Sequence, residues 1–181
     1  MRLITRSSFR RGGLVPQAVA AAIGAFANTQ AVCTSFKVEL MLGQHQFGAA
    51  TLVSRTSLTA PTTDTFKAAL YLASATVNAS TTAYSATGEV TGTGYTAGGV
   101  TVTNATAPTS SGTTAYWTPS ANFQWTGATL STAFDAVLLY NSTQSNRAVA
   151  VYTFGSQTIT AGTLTLTMPT NDSTNALLRI A

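Results

Sequence analysis

The sequence predicts an all-β protein: an antiparallel β-sandwich of jelly-roll type with an N-terminal arm that carries a short helix. Three observations support this prediction. Apolar runs of strand length, rich in β-branched and aromatic residues, recur along the chain between turn-prone segments. One pair of runs, within Phe134–Phe154, has the form of a hairpin. The composition also changes near residue 33, which predicts an arm over residues 1–33 and a sandwich domain over residues 34–181.

Charge is scarce and unevenly placed along the chain. Charged residues make up 8% of it, against about 25% in ordinary soluble domains. The net charge of +4 comes from the arm, because the other charged residues cancel; the arginines of the arm are Arg2, Arg6, Arg10 and Arg11. A neutral surface rich in Thr, Ser and Asn is suited to lying against other surfaces. A basic arm with only Phe9 among its arginines favours an acidic protein surface over nucleic acid.

The arm contains an alanine-rich segment that follows Pro16. Proline is suited to the first turn of a helix and alanine has high helix propensity, so we predict a helix over Gln17–Phe26. A secretory signal is the alternative, because Ala25-Phe26-Ala27 has a small-x-small form, but Pro16 and Gly24 interrupt the apolar stretch. The stretch is also too short to span a membrane. We expect the arm to dock on a partner through its arginines and three apolar residues: Val15, Ile23 and Phe26.

The body begins with segments that periodicity identifies. Phe36–Leu42 alternates apolar and polar side chains, which predicts a half-buried strand. Phe66–Ala73 is predicted to be a second strand, with alternate apolar residues on one face. Residues 74–87 are small and hydroxylated, which predicts a surface excursion.

The glycine-dense segment Gly88–Val102 contains a match to the dinucleotide-binding pattern G-x-G-x-x-A over residues 92–97. That pattern requires a helix after it, whose N-terminus holds the pyrophosphate. Here Val100–Thr103 continues as a strand, so we reject the match. Turns or a bulge of a sheet account for the glycines.

Aromatic residues gather around Pro119. Phe123 and Trp125 alternate with Gln124, so they share one face of a strand. Such a cluster either fills the core or forms a platform on which sugars stack, and we favour the core. The alternative is an exposed aromatic surface, and it would use Tyr116, Trp117 and Trp125.

The hairpin is predicted from two runs, Phe134–Tyr140 and Ala148–Phe154, which flank the polar Asn141–Asn146. Both runs are apolar at nearly every position, which indicates strands that are covered on both faces. One face can lie on the core, and the other needs a second layer, either the arm or a neighbouring molecule. Thr163–Met168 is predicted to be a separate strand, and Ala176–Ile180 the last one.

No catalytic chemistry is evident from the residues. The five carboxylates are dispersed along the chain. His45 is the single histidine, and the sequence contains no G-x-S-x-G motif whose serine it could activate as a base. One cysteine, Cys33, cannot form an intramolecular disulfide or a cysteine metal cluster, and we expect a buried thiol. Asp64 and Asp172 lie in no loop with the ligand density that calcium requires. We therefore predict no enzyme, no cofactor and no metal site.

Several short blocks form a recognisable set. They are Phe36-Lys37-Val38-Glu39-Leu40 with Gly43, His45 and Phe47; Asp64 to Tyr71; Ala83-Tyr84; Gly88-Glu89-Val90 with Gly92, Gly94-Tyr95 and Gly98-Gly99; Arg147 to Val151 with Phe154-Gly155; and Asn175 to Ile180. Together they resemble a family of small virion structural proteins of tailed bacteriophages. The resemblance extends from Thr34 to the C-terminus and implies no catalytic or ligand-binding residue.

The resemblance implies a location in the virion, assembled in the host cytoplasm. We expect a capsid decoration or cement subunit that binds the major capsid protein or other virion proteins through its arm and apolar hairpin. Self-association is also expected, with a trimer as one arrangement, and no membrane or nucleic acid as a partner. A tail, neck or fibre component is the alternative, and a secreted carbohydrate-binding module is a second one.

Overall fold

The computed structural model describes residues 28–41, 45, 47, 63–103 and 107–180, and these form two antiparallel sheets and one helix. The elements are β1 (Ala31–Val32), α1 (Thr34–Met41), β2 (Phe66–Leu72), β3 (Val100–Thr101), β4 (Thr109–Ser111), β5 (Thr114–Trp117), β6 (Phe123–Asn141), β7 (Arg147–Leu166) and β8 (Leu178–Ile180). The large sheet has the order β1-β7-β6-β2-β3, and the small sheet has the order β4-β5-β8. The prediction of an all-β, sandwich-like antiparallel fold is confirmed.

The hairpin of β6 and β7 dominates the large sheet. The prediction of a hairpin is confirmed, but its strands are 19 and 20 residues long and extend far beyond Phe134–Phe154. Thr163–Leu166, predicted as part of a separate strand, is the end of β7 and pairs with the start of β6. The register shifts at several bulges between the two ends, one of them beside Ala161, which has a φ of 48°. Bulges let a strand continue past residues that do not fit a regular ladder. One hairpin therefore contains the three runs that periodicity predicted as separate strands.

The strand predicted over Phe36–Leu42 is wrong, because Thr34–Met41 is helical. The apolar residues of a short alternating run also fall on a helix face where they are four apart. Phe36 and Leu40 have this spacing; Phe36 is fully buried, and Leu40 packs against the core. A run of this length does not distinguish the two structures by periodicity alone.

The two faces of the large sheet are covered by different parts of the chain. Phe66 and Tyr71 lie on opposite faces, because their positions in β2 differ by an odd number. Phe66 stacks on Phe47 at 4.6 Å between ring centroids, and Phe47 meets Trp117 of β5 edge-on at 4.9 Å, which places the small sheet on this face. The hydroxyl of Tyr71 donates to the Ser85 carbonyl at 2.5 Å, so the excursion after β2 covers the other face.

Residues 28–33, predicted as the end of the arm, lie within the sheet domain. Ala31 and Val32 pair with Val151 and Ala150 of β7, and Cys33 is fully buried. The side chain of Asn28 accepts a hydrogen bond from the Val77 amide at 3.0 Å. The sheet domain therefore begins before residue 34. The helix predicted over residues 17–26 lies outside the described residues.

Candidate functional site: the long hairpin

The hairpin has two parts that differ in environment. We call residues 134–154 the root and residues 123–133 with 155–166 the outer ribbon. In the root, Ala136–Tyr140 is at most 2% exposed, and Ala148–Val151 is fully buried. The small sheet and the excursion cover its two faces. The expectation that the apolar hairpin docks on a neighbouring molecule is therefore wrong for the root, whose apolar side chains are already packed inside the subunit.

A buried carboxylate organises the covering layer on the Tyr71 face. Glu89 is 6% exposed. One of its oxygens accepts the hydroxyl of Tyr84 at 2.6 Å, and the other accepts the hydroxyl of Tyr95 and the amide of Gly98, each at 2.7 Å. Tyr140 of β6 donates to the Gly98 carbonyl at 2.8 Å, which ties the same loop to the root. These bonds satisfy both carboxylate oxygens within the subunit.

The tyrosines of this network are held in their protonated form. Burial raises the pKa of Tyr71 and that of Tyr140 from the ordinary 10.0 to about 12. Burial, then the hydrogen bond to Glu89 and its charge, raises the pKa of Tyr84 and of Tyr95 further. A phenol that donates to a carboxylate cannot ionise without placing two negative charges side by side. The network therefore works as a structural anchor, with its donors committed.

The glycine-dense loop makes contacts that require glycine. A Cβ on Gly99 would lie 1.8 Å from the Ala68 carbonyl oxygen of β2, and one on Gly92 would lie 2.2 Å from the Thr129 carbonyl oxygen of β6. Both residues have positive φ, 72° and 157°. The loop leads directly into β3, so no helix follows the glycines. The rejection of the dinucleotide pattern is confirmed: these glycines let backbone pack on backbone.

A second polar cluster lies at the turn between β6 and β7. Asn141 is fully buried, and its amide nitrogen donates to Asp64 at 2.6 Å and lies 3.1 Å from Nδ1 of His45. Its carbonyl oxygen accepts the amides of Thr143 and Gln144, both at 3.1 Å. This arrangement pins the turn to the segments that precede β2. Sequence reasoning missed it, because the three side chains belong to residues that are far apart along the chain.

The aspartates considered as cation ligands have other partners. Asp64 accepts hydrogen bonds from the side-chain amide nitrogens of Asn141 and, at 3.0 Å, of Gln144. Asp172 accepts the amides of Thr174 and Asn175, and the hydrogen bonds from Asn175 lower the pKa of its carboxyl. Among the described residues, no group of three or more His, Cys, Asp and Glu side chains is placed to hold a metal.

The exposed aromatic surface considered for sugar binding is not formed. Trp117 is 1% exposed and Trp125 is 3% exposed, and they belong to different sheets. Trp117 packs on Phe47, and Trp125 stacks on Tyr95 at 6.4 Å. Only Tyr116 is partly accessible. Because a stacking platform needs open ring faces, the aromatic residues act as core, which was the favoured interpretation.

The arm residues predicted to bind a partner lie outside the described residues: Arg2, Arg6, Arg10, Arg11, Val15, Ile23 and Phe26. The expected burial of the Cys33 thiol is confirmed.

An open groove of about 500 Å³ runs between β1 and β8. Its lining includes Tyr152 and Arg179, whose polar groups donate to the carbonyls of Leu177 and Thr174. No helix in the described part of the chain is long and apolar enough to cross a membrane.

The outer ribbon buries Phe123, Trp125, Ala128 and Leu130 of β6, and its accessible side is formed mainly by β7. Residues 155–158 are all exposed, and residues 162–166 alternate between half-buried and exposed. The chain contains no charged residue between Arg147 and Asp172. This ribbon therefore presents hydroxyl groups and backbone rather than charge.

Comparison of the chain with known protein families, with curated proteins and with solved structures finds no match.

Proposed function

We propose that the protein is a non-enzymatic structural subunit of a tailed-bacteriophage virion, a capsid decoration or cement protein. The observation that carries the proposal is the contrast between interior and surface. The polar groups that could perform chemistry, Glu89 with its tyrosines and Asn141 with His45 and Asp64, are hydrogen-bonded to one another beneath the surface. What the subunit presents is an uncharged ribbon of Thr, Ser and Gln.

Such a surface suits a protein that functions by contact. Charged residues at a subunit contact must be desolvated, whereas a neutral hydroxylated surface is desolvated at lower cost. The blocks from Thr34 to the C-terminus resemble phage virion proteins, and this resemblance supports the same proposal. The partner we propose is the major capsid protein or another virion protein, contacted by the arm and the outer ribbon. The root is excluded as a docking surface by its burial.

The arm supplies the charge that the ribbon lacks. Its arginines, Arg2, Arg6, Arg10 and Arg11, carry the whole net charge of the chain. An arm of this kind fits an acidic surface on the capsid shell, where each guanidinium can pair with carboxylates. The same chain in a tail, neck or fibre would use the same surfaces on a different neighbour, so location distinguishes the two proposals.

The test is the position of the subunit in assembled particles. Strand β8 ends at Ile180, which is 49% exposed, so a small C-terminal label avoids the root. Electron microscopy of particles that contain the labelled full-length chain should show the label across the capsid shell. A label at the neck or tail would establish the alternative and overturn the capsid assignment. Particles without label would overturn both.

The contribution of the arm is tested by substitution. Replacing all four arginines of the arm by alanine should reduce capsid occupancy, whereas replacing them by lysine should preserve it, because lysine retains the charge. A truncation must end before Asn28, whose side chain is bonded to the sheet. Full occupancy with the alanine variant would show that the arm does not hold the subunit on the particle.

A further inference from the structure

The outer edge of β7 has no strand beside it in the described part of the chain. Near the root, β1 pairs with Ala150 and Val151, and the backbone amide of Cys33 donates to the Val149 carbonyl at 3.0 Å. Beyond Thr153, the described residues pair with β7 only from the β6 side. Among the described residues, no strand pairs with the row of backbone donors and acceptors along this part of the edge.

The most regular part of this edge is its far end, residues 164–166. Here Leu164, Thr165 and Leu166 pair in unbroken register with Trp125, Gln124 and Phe123. The amide of Met168 donates to the Asn122 side chain at 2.9 Å, on the β6 side. Since backbone groups alternate in direction along a strand, those of Leu164 and Leu166 point to β6. The backbone groups of the threonines between and around them point to the open edge.

This edge lacks the usual protection against strand pairing. Exposed edges are normally protected by lysine, proline, bulges or a covering segment. No charged residue occurs between Arg147 and Asp172, and the nearest proline is Pro169. The register shift between Leu164 and Gly162 places its extra residue on β6, between Trp125 and Ala128, so β7 itself carries no bulge over residues 164–166. A two-stranded ribbon is also marginally stable in water by itself. The edge is thus built to accept a third strand.

The sequence of the edge selects the occupant. Residues 163–167 read Thr-Leu-Thr-Leu-Thr, which is the same in both directions about Thr165. Two copies of one strand related by a two-fold axis must run antiparallel, and like residues then face each other on either side of the axis. Pairing about Thr165 places Thr163 opposite Thr167 and leucine opposite leucine. Cross-strand Thr–Thr pairs and apolar pairs stabilise a sheet.

The arm fits this edge less well than a second copy. Its four arginines would meet no carboxylate there. The residues just before β1 also turn away from β7, because the backbone amide of Thr29 donates to the Val77 carbonyl at 3.1 Å. An uncharged strand is the better partner for an uncharged edge, and β7 of a second copy is such a strand.

We propose that β7 pairs antiparallel with β7 of a second copy about a two-fold axis at Thr165, which joins the two large sheets into one. The threonine pairs nearest the axis exchange backbone hydrogen bonds, and the half-buried Leu164 and Leu166 of both copies continue one apolar face. The pairing is independent of the proposed virion role. It predicts a two-fold dimer rather than a trimer.

A disulfide test uses the buried Cys33 as a silent background. In a hydrogen-bonded antiparallel pair the Cα atoms are about 5.5 Å apart, which is within disulfide range. The full-length Thr165→Cys variant should therefore form a covalent dimer through residue 165 under mild oxidation. Gln124→Cys is the matched control, because Gln124 is also exposed and donates its side-chain amide to the Thr165 hydroxyl at 3.1 Å, but lies one strand farther from the axis on each copy.

A charge test examines the wild-type interface. Thr165→Lys would place two like charges opposite each other on the axis and should raise the dimer dissociation constant on the order of tenfold. Gln124→Lys adds the same charge away from the edge and should change it little. Sedimentation of the full chain measures both. A wild-type chain that stays monomeric, or a Thr165→Cys variant that cross-links no faster than Gln124→Cys, overturns the proposal.

Discussion

The root and the outer ribbon belong to the same two strands, yet the root is buried on both faces, whereas the outer ribbon buries Phe123, Trp125, Ala128 and Leu130 on one side and is exposed on the other. The root carries apolar side chains at consecutive positions and is buried on both faces. The outer ribbon alternates threonine with apolar residues and has an open edge. The burial of a strand therefore depends on which other parts of the chain pack over it. Four predictions test the difference in stability between the root and the outer ribbon.

The largest expected difference is between two leucine truncations. Leu138 of the root is fully buried, so Leu138→Ala should lower the free energy of unfolding by about 2–5 kcal/mol through lost burial and a cavity. Leu164→Ala on the half-buried face of the outer ribbon should cost about 1 kcal/mol. Chemical denaturation at one fixed protein concentration measures both. Equal losses would remove the distinction between the two parts.

Two glycine substitutions separate packing from backbone strain. Gly99→Ala places a Cβ against the Ala68 carbonyl beside the root, while Gly127→Ala in the outer ribbon meets nothing within 4 Å. Both residues have positive φ, 72° and 61°, so both substitutions carry about 1–2 kcal/mol of strain. Only Gly99→Ala should add a packing cost of about 1–3 kcal/mol. If the two variants unfold at the same denaturant concentration, the loop does not pack on β2 as described.

Alkaline pH should act through the tyrosines that lie in or pack against the root, because the outer ribbon itself contains no tyrosine. The pKa of Tyr71 and of Tyr140 rises from 10.0 to about 12 on folding, so between these values the folded state retains protons that the unfolded state has lost. Their contribution to stability is therefore complete below pH 10 and is lost as the pH rises towards 12.

The measurement is tyrosinate absorbance together with unfolding at several pH values. Ionisation of Tyr71 and Tyr140 should coincide with loss of structure, and Tyr140→Phe should flatten the decline of stability above pH 10. Ionisation of these two tyrosines in a protein that stays folded would contradict the closed packing around Glu89.

The smallest effect is expected at an exposed position of the outer ribbon away from the β7 edge. Thr132→Ala should change the free energy of unfolding by no more than about 0.5 kcal/mol, since Thr132 is exposed. Thermal unfolding compared with Leu138→Ala provides the scale. A loss as large as that of the root would indicate that the ribbon is packed against something on this face.

Much of the fold follows from local pattern. The all-β class, the hairpin, the strand from Phe66 and the core role of Trp117 and Trp125 were predictable, because β-branched and aromatic residues in runs of strand length favour sheets. The identification of Phe36–Leu42 as a strand failed, because Phe36 and Leu40 satisfy a helix equally well. The length of β6 and β7 was also missed, since bulges obscure the period of two.

By itself, the sequence determined the class of fold, the basic arm and the neutral body, because these depend on composition and on short-range periodicity. Only the tertiary structure decided which apolar strands are interior. It also brought Glu89 beneath its tyrosines and joined His45, Asp64 and Asn141 at one turn. Such contacts link residues that are distant in the chain, and their positions depend on how the layers pack rather than on any local preference.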